Sequence, residues 1–295
     1  MFETIKLKSK KLKSLAQRFT IEKAINKIRL EAKKFSNKIK LGTKKYNSIS
    51  KKYINIAEWK KDTAALFPHW YYTTDLGDGI SRKATINNEE VTMPLLIKNR
   101  SNLLYMIDKH VGDISGLKIL DLACSAGLHA FELARRGAIV TGIDWDSGAI
   151  KQAKFVQECL KKEIKHPIKF EHVSLFDFEC PTNYFDYVYC SGLFYHLPDP
   201  IGAAQKMRTF CSKGIMISSS VSPKEEALFE LSDPKMFPFC ASWEFALVPT
   251  AKMLEKIIEH AGFKIVASAI WDQIPETVKP FGPASTGPVF LIAKT

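Results

Sequence analysis

The stretch KILDLACSAGLHAFELARRGAIVTGID, residues 118–144, decides the architecture of this chain. Lys118 to Ala123 is a short apolar run bearing one acid, Asp121, and reads as a strand. Leu128 to Arg136 has helical character, and Ala138 to Asp144 is a second apolar strand. A strand, a helix and a strand this close together make two parallel neighbours of one sheet. Between the first strand and the helix, Ala123, Ser125 and Gly127 place small side chains at alternate positions, so a ligand can approach the backbone at each. Alanine and serine resist positive φ, so the tight backbone conformation is expected mainly at Gly127. Taken alone, the loop fits a structural turn equally well.

The second strand shifts that balance. Asp144 closes it 23 residues after Asp121, where an acidic side chain can take both ribose hydroxyls of an adenosine. The plainer role, capping the next helix, suits Asp146 or Ser147 better. A dehydrogenase is disfavoured, because the turn lacks the GxGxxG pattern that cradles a pyrophosphate.

Working outward, Ser147–Lys162, Pro200–Cys211 and Thr250–Ala261 read as helices. Ile168–Ser174, Phe185–Ser191, Gly214–Ser220, Phe263–Ile270 and Pro288–Lys294 read as strands. This alternation predicts an α/β fold with a doubly wound parallel sheet. Ligands of such sheets sit beyond the C-terminal strand ends, which singles out two further stretches. In SLFDF (174–178), Phe176 is placed to flank an adenine or to join the core, and Asp177 to accept from the exocyclic amine. In SGLFYHLPDP (191–200), Ser191 and Gly192 leave the strand end open and Tyr195 and His196 follow it directly. Those two face a bound ligand, or else Tyr195 packs and His196 bonds a loop carbonyl.

Two segments break the alternation. Residues 66–83 combine Trp70, Tyr71 and Tyr72 with a Gly-Asp-Gly turn, and residues 221–249 form a long insertion. Loops of this length are commonly lids or binding loops; packing is the alternative for the aromatic cluster.

The 295 residues carry a net charge of +12, but unevenly. Residues 1–61 hold 19 Lys and Arg against 4 Glu, net +15, leaving the remainder at −3. Ile21, Ile25, Ile28, Ala32, Phe35 and Ile39 recur at helical spacing behind Thr20 and before Gly42, so residues 1–45 are expected to form basic helix with one apolar seam. That seam packs on the body or on a second copy as a homodimer; the lysines are solvated, or attract RNA or an anionic membrane surface. The six cysteines show neither CxxC pairs nor metal-ligand spacing and read as reduced thiols, with no metal expected. Neither a signal segment nor a membrane span is evident, so a cytoplasmic protein is expected.

ILDLACSAGLHAFELARRGA, VTGID, FDYVYCSGLFYHLPDP, AGFKIV and GPVFLIAKT, in that order, resemble the class I S-adenosylmethionine-dependent methyltransferases. WYYTTDLGDGI and GLFYHLPDP look more narrowly like the subgroup of tRNA wobble-uridine modifying, carboxymethyl-transferring enzymes and their methyltransferase relatives. The resemblance implies a Rossmann-like seven-stranded sheet with an antiparallel last strand, and S-adenosylmethionine spanning Asp121, Gly127, Asp144 and Asp177. Ala123, Ser125, Trp145, Phe176 and Ser191 complete the candidate cofactor set. Ala123 and Ser125 depart from the glycines usual in the family; both are small, so the site is narrowed. A carboxylated cofactor needs basic partners, for which Arg82 and Lys83 are the nearby candidates without a firm match, and ordinary methyl transfer is expected. The divisions implied are a lysine-rich extension (1–61), an aromatic cap (62–115) and the catalytic domain (116–295), with its substrate insertion at 221–249.

The chemistry needs alignment and exclusion of water, plus a base for a hydroxyl acceptor. His196 is the first choice for that base and His129 the second. Tyr195, Trp70, Tyr71, Tyr72 and Arg82 would border the acceptor. Three functions follow: methyl transfer to an O or N atom of a small molecule, tRNA modification aided by residues 1–61, and a non-catalytic cofactor-binding scaffold.

Overall fold

The computed structural model describes residues 74–75, 81–82, 85–86, 89–90, 104–232, 246–270 and 288–295. The basic helix expected at 1–45 and the aromatics Trp70, Tyr71 and Tyr72 lie outside them. Within 74–90, four two-residue strands pair as two small antiparallel ribbons, and residues 104–110 are helical.

The element order is β1 (Lys118–Leu122), α1 (Leu128–Arg135), β2 (Ile139–Asp144), α2 (Ser147–Leu160), β3 (Lys169–His172), β4 (Phe185–Ser191), a 3-10 turn (Phe194–His196), α3 (Pro200–Phe210), β5 (Cys211–Ser220), β6 (Phe229–Ser232), β7 (Ala246–Pro249), α4 (Ala251–His260), β8 (Lys264–Ile270) and β9 (Pro288–Lys294). One seven-stranded sheet runs β8-β9-β5-β4-β1-β2-β3. Strands β1 to β5 pair in parallel, and β9 runs antiparallel to both its neighbours, β5 and β8. The α/β doubly wound sheet with an antiparallel last strand is therefore what the chain forms. β1 sits centrally between β2 and β4, and the chain reverses its winding there, the place where such sheets open a crevice.

The helices begin where the sequence supplies acceptors for their first amides. Asp146 caps α2 by accepting from Gly148 N and Ala149 N, Asp199 caps α3 ahead of Pro200, and Thr250 caps α4 through Met253 N. α1 starts from Gly127, which is left-handed and offers no side-chain cap. Apolar faces of β1, β4 and β5 meet α3 and α4 in one core that includes Leu120, Leu122, Val188, Ile215, Met207, Leu254 and Ile258. Each such side chain contributes about 1.5–3 kcal/mol on full burial. On the opposite face the Phe170 ring lies across β2, and a Cβ on Gly142 would come within 2.9 Å of it and 3.0 Å of Cys124 Sγ; only glycine fits there.

The insertion at 221–249 is more ordered than a loop. β6 and β7 pair antiparallel from Phe229↔Pro249 to Ser232↔Ala246, and β7 lies against the 3-10 turn that carries Tyr195 and His196. Residues 233–245 between them fall outside the described residues.

Candidate active site

The loop after β1 corrects one expectation. Positive φ was expected mainly at Gly127, yet Ala123 (59°), Ser125 (47°) and Gly127 (84°) are all left-handed. The alternation of small residues is thus an alternation of backbone hand. It bends the chain under the sheet edge so that Cys124 N donates to Ile143 O at 2.9 Å and Ser125 N to Asp144 Oδ2 at 2.8 Å. Alanine and serine pay the steric penalty of the left-handed region, roughly 1–2 kcal/mol each, and these backbone bonds offset it.

Asp144 ends β2 as a carboxylate held by backbone amides: Oδ2 accepts from Ser125 N and Oδ1 from Asp146 N, both at 2.8 Å. Burial is the largest influence and raises its pKa; the two amides and His172 pull the other way. Asp146 makes the helix cap, so Asp144 is relieved of that duty, as its position in the sequence suggests. Asp121, two residues back along the neighbouring strand in register, is only 2% exposed. Its carboxyl is pushed up to about 8, first by burial and then by the charge of Asp144, against the pull of the Ala130 amide. Among the described residues its Oδ2 has no hydrogen-bond partner.

Trp145 follows Asp144 with 63% of its surface exposed, and Phe176 is 41% exposed; the core alternative for Phe176 does not hold. Beside it, Asp177 Oδ2 accepts from Ser174 Oγ at 2.7 Å. Both large apolar side chains thus stand open beyond the C-terminal ends of β2 and β3. A groove of about 460 Å³, lined by Thr141, Glu171, Asp177, Cys180 and Tyr184 among others, runs beside this segment along β3.

Across the crevice β4 ends at Ser191, half-buried and paired with Ser218. Gly192 turns the chain at φ 73°, and a Cβ there would stand 3.3 Å from the Tyr195 hydroxyl, which folds back over it. Tyr195 and His196 are adjacent rings with centroids 4.3 Å apart. Burial lowers the His196 pKa, and its buried Nδ1 has no hydrogen-bond partner among the described residues. His129, in the first turn of α1, rests its ring on Tyr189 at 5.1 Å. Arg82 lies in one of the small ribbons. His172, which sequence reasoning passed over, bonds through Nε2 to the Trp145 carbonyl at 2.7 Å; only the strand register, hidden in the sequence, makes them neighbours.

Among the described residues, Cys124, Cys159, Cys180, Cys190 and Cys211 form no disulfide. Among the described residues no group of three or more His, Cys, Asp or Glu side chains is placed to hold a metal, and no helix is long and apolar enough to cross a membrane. The donors present suit an adenosine-bearing organic cofactor: an oriented carboxylate, a small-residue loop, open aromatic faces and the unpartnered buried oxygen of Asp121.

Comparison with known proteins bears on family and fold. The sequence model of a methyltransferase-domain family matches residues 113–276. A ubiquinone biosynthesis O-methyltransferase of Acinetobacter baylyi is 30% identical over 38% of this chain and 46% of its own length. A tRNA U34 carboxymethyltransferase of Trichodesmium erythraeum is 25% identical over 60% of this chain and 58% of its own length. The chain therefore spans about half the length of these relatives. Among solved structures, the N-terminal domain of EvdMO1 with SAH bound superposes with a TM-score of 0.58 at 16% identity, over 82% of this chain and 98% of that one, which shows a shared fold. The chain belongs to the methyltransferase-domain family, and its sheet order is the one the class I resemblance implies.

Proposed function

We propose that the chain transfers a methyl group to a hydroxyl oxygen of a small-molecule acceptor. The observation that carries this reading is His196, an imidazole in the turn after β4, beside the strand pair of the insertion, with a buried Nδ1 that has no partner among the described residues. Its pKa lies below the ordinary 6.5, so at pH 7 the ring is neutral and ready to accept a proton. An amine needs no such base when it attacks unprotonated; a hydroxyl benefits from one.

S-adenosylmethionine, when bound, supplies a methyl already activated by positively charged sulfur. The chain binds, aligns and keeps water out. In this reading Asp144 takes the ribose hydroxyls, Trp145 and Phe176 flank the adenine, and Asp177 accepts from its amine. Asp121, Ala123, Ser125, Gly127 and Ser191 border the rest of the cofactor. His196 takes the acceptor's proton and Tyr195 walls the pocket, with His129 as the alternative base. Trp70, Tyr71, Tyr72 and Arg82, with the insertion, face the acceptor.

Calorimetric titration with S-adenosylhomocysteine followed by transfer of labelled methyl tests the reading. Asp144→Ala loses at least about ten-fold in affinity, the scale of a charge-assisted hydrogen bond. His196→Asn keeps that affinity while kcat on hydroxyl acceptors drops about 10²- to 10⁴-fold, the usual worth of a general base. The acid limb of the wild-type profile lies below pH 6.5, following the lowered pKa of His196. Unchanged kcat in His196→Asn removes His196 as the base.

A second reading, tRNA modification, is favoured by the tRNA U34 carboxymethyltransferase relative matched over 60% of the chain and by the +15 charge of residues 1–61. Label appearing in bulk tRNA, and in no small hydroxylated acceptor, would put this reading first.

A further inference from the structure

The bond between His172 and Trp145 closes a clamp on a single peptide group. The Trp145 carbonyl accepts from His172 Nε2 at 2.7 Å, and the N–H of the same peptide, that of Asp146, donates to Asp144 Oδ1 at 2.8 Å. A carbonyl only accepts, so His172 must carry its hydrogen on Nε2. The peptide plane is therefore pinned at both ends, by two side chains that stand directly opposite each other on β2 and β3. The main chain adds a third tie, Val173 N to Asp144 O at 2.9 Å.

Without His172 the carbonyl loses this partner on β3, and the plane turns more easily about its remaining ties. Rotation removes the Asp146 amide from Asp144 Oδ1, one of the two donors that orient this carboxylate. The same rotation swings Trp145, whose ring projects from that backbone with 63% of its surface open. His172 itself is exposed on a short strand at the sheet edge, outside the apolar core, so its replacement leaves no buried cavity.

We propose that His172 is a positioning residue for the adenosine part of the cofactor, acting through the 145–146 peptide on the Asp144 carboxylate and the Trp145 ring. This rests on the proposed role of Asp144 and Trp145 in holding that cofactor. The consequence is confined to binding: the cofactor is held less tightly when the clamp is open, and the transfer step at saturation is untouched.

The full chain, with His172→Ala and His172→Gln, is titrated calorimetrically with S-adenosylhomocysteine, and KM and kcat are measured with S-adenosylmethionine. His172→Ala weakens binding and raises the cofactor KM about five- to ten-fold, the worth of one hydrogen bond. Its kcat at saturating cofactor stays within about two-fold, the signature of lost uniform binding. Gln, which again presents an N–H to the carbonyl, restores most of the affinity. Wild-type affinity in His172→Ala overturns the proposal, and so does a Gln variant as weak as Ala. If the wild type itself fails to bind S-adenosylhomocysteine, the cofactor role of Asp144 fails first and the clamp's function with it.

Discussion

Ala123 and Ser125 show how a family pattern can survive without its glycines. Both hold a left-handed backbone, at 59° and 47°, where a Cβ costs roughly 1–2 kcal/mol. Substituting glycine relieves that strain and adds about 0.4–1 kcal/mol of unfolded-state entropy. Ala123→Gly is therefore expected to raise unfolding free energy by up to about 1 kcal/mol in urea titrations; a loss would mean that the methyl packs usefully. Asp121 offers a second test. Its folded pKa is raised to about 8, so between the unfolded value near 3.8 and about 8 the native state holds a proton that the unfolded chain has lost. Stability thus falls as pH rises through that window, with a slope from this group of up to about 1.4 kcal/mol per pH unit. Asp121→Asn should flatten the fall; an unaltered slope from pH 5 to 8 would show that Asp121 ionises normally. Asp144 was legible from its place at a strand end. The left-handed angles at 123 and 125 were not, because residue type alone argues against them and the compensating bonds to Ile143 and Asp144 come from a neighbouring strand.

Among the elements, the insertion depends on one buried hydroxyl. Thr250 Oγ1 accepts from Leu228 N and Met253 N, both at 3.2 Å, and donates to Glu226 O at 2.6 Å. It thus ties the segment entering β6 to the first turn of α4. The main chain reinforces it through Ser222 N to Pro249 O at 2.9 Å. Thr250→Val removes the helix cap and strands buried polar groups, for an expected loss of about 2–3 kcal/mol; native-state hydrogen exchange should localise the loosening to Leu228 and the start of α4. Gly142→Ala, driven into Phe170 and Cys124, is expected to destabilise by about 1–3 kcal/mol through overpacking, seen as a lower melting midpoint. Most strands of the main sheet were readable as short apolar runs bounded by turns; β4 and β9 have the bounds expected of them, and β3 is shorter, Lys169–His172. β5 instead starts at Cys211, because α3 passes into it with no intervening loop for punctuation to mark. β6 and β7 stayed hidden because each is four residues long and exists only as the other's partner.

At the scale of the molecule, charge and chemistry are separated along the chain: net +15 over residues 1–61 and −3 over the rest, where the matched domain lies. If the first segment recruits RNA, binding of bulk tRNA to the full chain should weaken steeply with salt, and replacing its lysines by glutamine should abolish it; salt-independent binding would exclude that role. The doubly wound sheet followed from the alternation of strand and helix and the antiparallel direction of β9 from family resemblance, whereas its position between β5 and β8 was not read at all, since no residue announces which strands it will separate. That position has a bearing on biosynthesis. β9 fills the gap between β5 and β8, so a nascent chain emerging from the ribosome can assemble β1 to β5 but must wait for residues 288–294 before β8 can join. Until then the outer edge of β5, with the buried run Ile215–Ile217, is an open template for another chain. Translation that stalls ahead of β9 would yield a methyltransferase half with a sticky border, a natural client for a ribosome-bound chaperone.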